Sequence, residues 1–211
     1  MQSLKAILTD LDGVIRYWTS EALNVKEERL GLTKGHLFGI CFEKNILAQV
    51  VTGQISDREW REIVQARLSS SISKTDAKEL VKLWANSEIQ IDKKIVEIYK
   101  QHFPGVKIVL TTNATTRLRE DLKNQGLEDK IDEIMNSSEL GVAKPAHEYF
   151  IEVLSRLGVR MDEVIYIDDT AANVEAASEL GIRSHHYQNH KRLVEFLIDT
   201  QETYSATHQM Q

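Results

Sequence analysis

The chain has 211 residues, 42% of them hydrophobic, and its 32 acidic and 26 basic side chains leave a net charge of −6. A chain of this length buries a core without staples, and its single cysteine, Cys41, excludes an internal disulfide and any Cys-x-x-Cys metal or redox motif. The acidic balance lacks the lysine and arginine clusters of a nucleic-acid partner. No apolar run approaches the length of a membrane span, and no N-terminal stretch reads as a secretory signal, so a cytoplasmic protein with no membrane or nucleic-acid partner is expected.

The first element is a strand over residues 5–9, where Ala6-Ile7-Leu8 runs into Asp10-Leu11-Asp12-Gly13-Val14. Residues i and i+2 of a strand share a face, but Gly13 breaks this one, so Asp10 and Asp12 sit where the chain turns out of the sheet. Two carboxylates at such a mouth can hold a cation. A calcium loop is excluded, because Ile15 stands where that loop requires glycine and Val14 where it requires an oxygen ligand, although Glu21 falls at its twelfth position.

Residues 15–104 read as helix after helix with no strand, an inserted all-helical domain. Cys41 lies in the apolar run Phe38-Gly39-Ile40-Cys41-Phe42 and is expected to pack rather than react. Ser56-Asp57-Arg58-Glu59 is a capping box, followed by Trp60, Ile63, Val64 and Leu68 on one apolar face. Thr75 is expected to cap the next helix, which carries Leu80, Leu83 and Trp84, and Ile91, Ile95 and Ile98 mark another.

From residue 105 onward, β-branched apolar runs at residues 106–111, 131–135, 164–167 and 182–185 alternate with helical patterns. Three of those helices are stopped by Gly126, Gly158 and Gly181. With residues 5–9, this predicts an α/β, Rossmann-like core of about five parallel strands built from residues 1–14 and 105–200. Its ligand is expected beyond the carboxyl ends of the strands. The polar, aperiodic segment 201–211 is expected to be a frayed tail. His185 and His186 face opposite ways on the last strand and are read as packing or surface residues.

Three polar features follow the core strands. Thr111-Thr112-Asn113 ends one, where a hydroxyl and free N–H groups at a strand end and helix start make an anion site. Lys144-Pro145 follows Gly141, with Pro145 suited to a first helical turn and Lys144 able to reach back across the strand ends. Asp168-Asp169 ends a buried strand, and two adjacent carboxylates there repel each other unless a cation or basic group neutralises them.

In this order the features resemble the motifs of the haloacid dehalogenase-like hydrolases over essentially the whole chain. Asp10 to Val14 is similar to the first motif, Thr112-Asn113 to the second, Lys144-Pro145 to the third, and Asp168-Asp169 with Val174 to Ala177 and Leu180 to Ile182 to the fourth. Asn173 departs from a position where many members carry an acid, which makes Asp169 the firmer metal ligand and Asp168 a secondary candidate.

The resemblance implies a Mg²⁺-dependent phosphatase acting on a small-molecule phosphate monoester. Asp10 would be nucleophile, Asp12 general acid and base, and Thr112, Asn113 and Lys144 the phosphate-binding groups. Asp10, Asp169 and Asp12, the last through its main-chain carbonyl, are the implied metal ligands, an all-oxygen set that suits Mg²⁺. The helical insertion would be a cap that closes over the site and selects the substrate. Gly53 would lie in a loop entering the site, with Arg16 and Trp18 as substrate contacts at its hinge. Transfer to a second hydroxyl, as in a phosphomutase or other phosphotransferase, is the alternative, followed by a non-catalytic ligand-binding protein. Dehalogenation fits less well, since that branch lacks an acid at the Asp12 position and needs no metal.

Overall fold

The computed structural model describes residues 3–209. Its first half runs β1 (Ala6–Thr9), β2 (Arg16–Trp18), α1 (Glu21–Arg29), α2 (His36–Cys41), α3 (Lys44–Val51), α4 (Asp57–Leu68), α5 (Lys74–Ala85), β3 (Ile89–Ile91) and α6 (Lys93–His102). There follow β4 (Lys107–Thr112), α7 (Leu118–Asn124), β5 (Glu133–Asn136), α8 (Ser137–Leu140), α9 (His147–Leu157), β6 (Val164–Asp168), α10 (Ala171–Glu179), β7 (Arg183–His186) and α11 (His190–Gln209).

Among the described residues the main sheet has five strands in the order β5-β4-β1-β6-β7, all parallel, with Ala6 opposite both Lys107 and Val164. Alternation sorts the strand residues between two helical layers. Ile7, Ile108, Ile165 and Ile167 pack beneath Ile95 and Tyr99 of α6, Leu118 of α7 and Leu193 of α11. Ala6, Leu8, Val109 and Tyr166 face Phe150 and Val153 of α9 and Ala177 of α10. Each fully buried aliphatic side chain contributes roughly 1.5–3 kcal/mol. The chain winds outward from β1 to β5, then crosses back to β6 and β7. Strand order therefore reverses at β1, and the carboxyl ends of β1, β4 and β6 open into one crevice. The Rossmann-like α/β core is thus present with the expected number of strands.

The segment between β1 and β4 departs from the all-helical expectation. Strands β2 and β3 pair antiparallel, Arg16 opposite Ile91, and form a two-stranded stem through which the chain leaves and re-enters the core. Ile91 therefore belongs to a strand rather than to the helix with Ile95 and Ile98, which begins at Lys93. Helices α1 to α5 bury their own cluster, including Leu23, Leu37, Cys41, Trp60 and Leu80. Helix α6 does not belong to that cluster, because its Ile95, Val96 and Tyr99 pack into the core beneath the sheet. The helical unit is thus shorter than residues 15–104.

Local capping explains other boundaries. Helix α4 begins with the expected capping box, since Ser56 Oγ accepts from Glu59 N (3.2 Å) and Glu59 accepts from Ser56 N (2.7 Å). Helix α5 is capped by Ser73, whose Oγ accepts from Asp76 N (3.1 Å), and Thr75 lies inside the helix. Pro145 lies before α9, after a cis Lys144–Pro145 bond, rather than in its first turn. The frayed tail expected from residue 201 is instead helical to Gln209. Gln201 Nε2 donates to His102 O (2.6 Å) and Tyr204 Oη to Asp162 O (2.8 Å), contacts between distant segments that local periodicity does not encode.

Candidate active site

Asp10 follows β1 directly, so the central strand delivers its carboxylate to the crevice. Lys144, arriving from the loop after α8, places Nζ within 2.9 Å of Asp10 Oδ1, 2.6 Å of Asp168 Oδ2 and 2.9 Å of Thr111 O. All three ammonium protons are thereby used, and the lysine is fully enclosed. Burial opposes its charge, but Asp10 and Asp168 outweigh burial and hold the ammonium above its usual value. Burial also pushes Asp10 up to about 6, against the pull of Lys144 and with repulsion from Asp168.

Asp168 has every oxygen committed. Besides Lys144 it accepts from the Tyr166 hydroxyl, from Thr170 N (2.7 Å) and from Asn173 Nδ2 (3.1 and 3.2 Å). Asn173 therefore serves Asp168. Asp169 turns outward and is exposed at the rim of the crevice, and partial burial of its carboxylate with repulsion from Asp168 raises it above the ordinary carboxylate value. It leans over Gly13, where an added Cβ would lie 1.9 Å from Asp169 Oδ2 on a backbone with φ of +85°. Only glycine leaves that space.

Asp10, Asp168 and Asp169 each offer an oxygen within 4.8 Å of the others'. The Asp12 side chain lies outside this group, whereas the ligand expected from Asp12 is its main-chain carbonyl. Its carboxylate turns to Arg16, accepting from Nε (2.7 Å) and a terminal nitrogen (2.9 Å), and to Trp18 Nε1 (2.6 Å). Arg16 also lies over the Trp18 ring at 4.6 Å. Arg16 and Trp18 therefore meet Asp12 first.

Thr112 ends β4 in the crevice, but α7 begins only at Leu118, so no helix N-terminus follows it as expected. The Asn113 side chain spans the gap to the third motif, donating to Lys144 O (2.8 Å) and accepting from Lys144 N (2.9 Å). Gly53 is not among the residues lining the carboxylate cleft. It abuts α8, where a Cβ would meet Ser138 O at 2.2 Å. Sequence reasoning missed Tyr166, although its place two residues before Asp168 on one strand puts both on the same face. His186, read as a packing or surface residue, is exposed, with its ring Nε2 2.8 Å from Asp169 O.

Two spaces meet here. A cleft is lined by Asp10, Asp12, Gly13, Thr112, Lys144 and Asp169. Through Asp12 and Asn113 it adjoins a cavity of about 380 Å³ between the core and helices α2 to α5.

A family model for haloacid dehalogenase-like hydrolases matches residues 4–181. The glyceraldehyde 3-phosphate phosphatase of Methanocaldococcus jannaschii is 26% identical over 190 residues, covering 85% of this chain and 82% of that protein. The ribulose-1,5-bisphosphate 5-phosphatase of Halopiger xanaduensis is 37% identical over 82 residues, 38% of this chain, and the match spans only 34% of that longer relative. A HAD family enzyme of Bacteroides thetaiotaomicron, solved in complex with magnesium and inorganic phosphate, shares the fold at a TM-score of 0.70 and 21% identity, covering 88% of this chain and 95% of that one. The family match begins before β1 and ends after α10, taking in the three strand ends that meet at Lys144, and so this chain belongs to the haloacid dehalogenase-like hydrolases.

Proposed function

We propose that this hydrolase is a magnesium-dependent phosphatase that cleaves a small-molecule phosphate monoester through an aspartyl-phosphate on Asp10. The observation that carries the reading is the Asp10 carboxylate, fixed by Lys144 at the end of the central strand and facing a cleft shared with Asp169. The phosphatase relatives, and the magnesium and phosphate bound by the Bacteroides enzyme, support it.

The residues fit a hard divalent cation. The donors are all oxygens, Gly13 leaves space beside Asp169, and the negative charge of Asp169 has no ion-pair partner among the described residues. Asp10 and Asp169 would hold Mg²⁺, with the Asp12 main-chain oxygen as the further ligand the resemblance implies. When bound it supplies the positive charge that lets an anionic carboxylate approach an anionic phosphate.

Asp10 attacks phosphorus, the bond to the leaving oxygen breaks, and Asp12 gives that oxygen a proton. Asp12 then takes a proton from water, which attacks the phosphorus and releases inorganic phosphate and free Asp10. Arg16 and Trp18 hold Asp12 in place for both transfers. Lys144 keeps Asp10 oriented and offsets the charge on the transferring group, while Thr112 and the Asn113 N–H supply donors at the phosphate. Helices α1 to α5 act as the cap.

The test is release of inorganic phosphate from an aryl phosphate and a panel of metabolite phosphates, with and without Mg²⁺. Magnesium-dependent release that falls by at least about three orders of magnitude in Asp10→Asn supports the reading. Release that is indifferent to Mg²⁺, or undiminished in the variant, overturns it.

A further inference from the structure

The cavity beside the carboxylate cleft bears on the identity of the leaving group. Given a phosphatase, the reading on which this step rests, we infer that the substrate is the phosphate monoester of an uncharged, largely apolar alcohol, a flat or aromatic group in preference to a sugar or a second phosphate.

Each of the cavity's arginines has a carboxylate partner. Arg16 is paired with Asp12 (2.7 and 2.9 Å). Arg117 is paired with Asp121 (2.8 Å) and donates twice to Ala85 O (3.0 and 3.1 Å). Arg61 is paired with Asp57, which also accepts from Thr115 Oγ1 (3.0 Å). Among the described residues these three are the only cationic side chains lining the cavity, and each has its own carboxylate there. Arg16 borders the cleft through Asp12, and at Arg61 or Arg117 a second phosphate or a carboxylate on the substrate would have to break the pair with Asp57 or Asp121 and leave that aspartate uncompensated.

The rest of the wall is mostly apolar. Phe38, Phe42, Trp60 and Trp84 form a continuous run of rings: Phe38 stacks on Phe42 at 5.7 Å, Phe42 lies 6.4 Å from Trp60, and Trp60 meets Trp84 edge-on at 4.7 Å. Phe42 is 51% exposed and Trp18 44%, large apolar surfaces left open where both border the cavity. An aromatic guest gains offset or edge-to-face contacts against these rings, whereas sugar hydroxyls set against them would lose water. Of the cavity's uncharged polar side chains, Asn113 is committed to Lys144 and Thr115 to Asp57, which leaves the hydroxyls of Thr19, Ser20 and Ser87 at the wall. The cavity joins the cleft at Asp12 and Asn113, so an alcohol held in it presents its oxygen beside the proposed proton donor.

The test compares 2-phenylethyl phosphate with glycerol 3-phosphate, which share a primary alkyl leaving group, so the ratio of their kcat/KM values reads the pocket and not intrinsic reactivity. The ratio is expected to favour the phenylethyl ester by at least about tenfold. It is expected to fall several-fold in Phe42→Ala and to recover partly in Phe42→Leu. Phe42 is half exposed, so both variants keep the fold, which thermal melting checks. A ratio of one or below, or a ratio unmoved in Phe42→Ala, overturns the inference. A second arm needs no turnover: binding of 2-phenylethanol by saturation-transfer NMR. If neither ester is hydrolysed, this arm decides the pocket, and the phosphatase reading stands or falls on the panel of metabolite phosphates. A signal present in the native protein and lost in Phe42→Ala supports the apolar site, and no signal in the native protein overturns it.

Discussion

Asp168 and Asp169 are adjacent in sequence and opposite in circumstance. The first is fully buried and shared among Lys144, Tyr166, Thr170 and Asn173, and the second is exposed over Gly13. Lys144 keeps Asp10, but Asp168→Ala leaves the Tyr166 hydroxyl, the Asn173 amide and one Lys144 proton buried without an acceptor, so it is expected to cost about 3–5 kcal/mol in urea unfolding. Asp169→Ala is expected to change that stability by less than about 1 kcal/mol while abolishing the response of activity to magnesium. Equal losses of stability in the two variants would contradict the division of roles. Cys41 supplies a separate check, since burial in the α1 to α5 cluster raises its thiol well above the ordinary value. A thiol reagent is expected to modify the native protein at least about a hundredfold more slowly than the urea-unfolded chain. Equal rates would mean that the cluster opens readily.

At the scale of elements, backbone fit and capping set the boundaries. Gly53 ends α3 with φ of +70° against the Ser138 carbonyl. Gly53→Ala is expected to cost about 1–3 kcal/mol by thermal or urea unfolding, and a neutral result would show that α3 and α8 can separate at no cost. The turn into β6 rests on Glu163, which accepts from Arg160 N (2.8 Å) and pairs with Lys5 (2.8 Å). The Arg160 N–H and then Lys5 lower this carboxyl below its ordinary value of 4.5. Its stabilisation is therefore full above that value and disappears as pH falls through the lower folded value. Glu163→Gln is expected to lower Tm by a few degrees at pH 7 and to converge on the native protein as pH falls through the lowered folded value, and a pH-independent difference would count against the pairing. Strands β1, β4 and β6 were legible in the sequence because apolar runs and terminal polar residues are local signals. The β2–β3 stem was not, because Arg16–Trp18 and Ile89–Ile91 become strands only by pairing across some seventy intervening residues. Thr75 and Ser73 are both good caps, and sequence did not separate them. The grouping of Asp10, Lys144 and Asp168 could be read from motif order, whereas the turn of Asp12 toward Arg16 and Trp18 depends on side-chain geometry that spacing does not encode.

Across the whole molecule, two hydrophobic units meet at the site. The parallel sheet fixes Asp10, Lys144 and Asp168, and the helical unit is moored to it by Arg117 on Ala85 O and by Thr116 Oγ1 accepting from Asp57 N (3.0 Å). In the proposed function the sheet carries the chemistry and the helical unit shapes what reaches it. The central claim is that Asp10 is the nucleophile at phosphorus. The most direct measurement is acid quenching of the magnesium-loaded enzyme during turnover of a phosphoryl-labelled ester, with peptide mapping of the label. The account predicts an acid-stable, base-labile label on the peptide carrying Asp10, absent from Asp10→Asn. A label on another residue, or turnover at the native rate in Asp10→Asn, would contradict it.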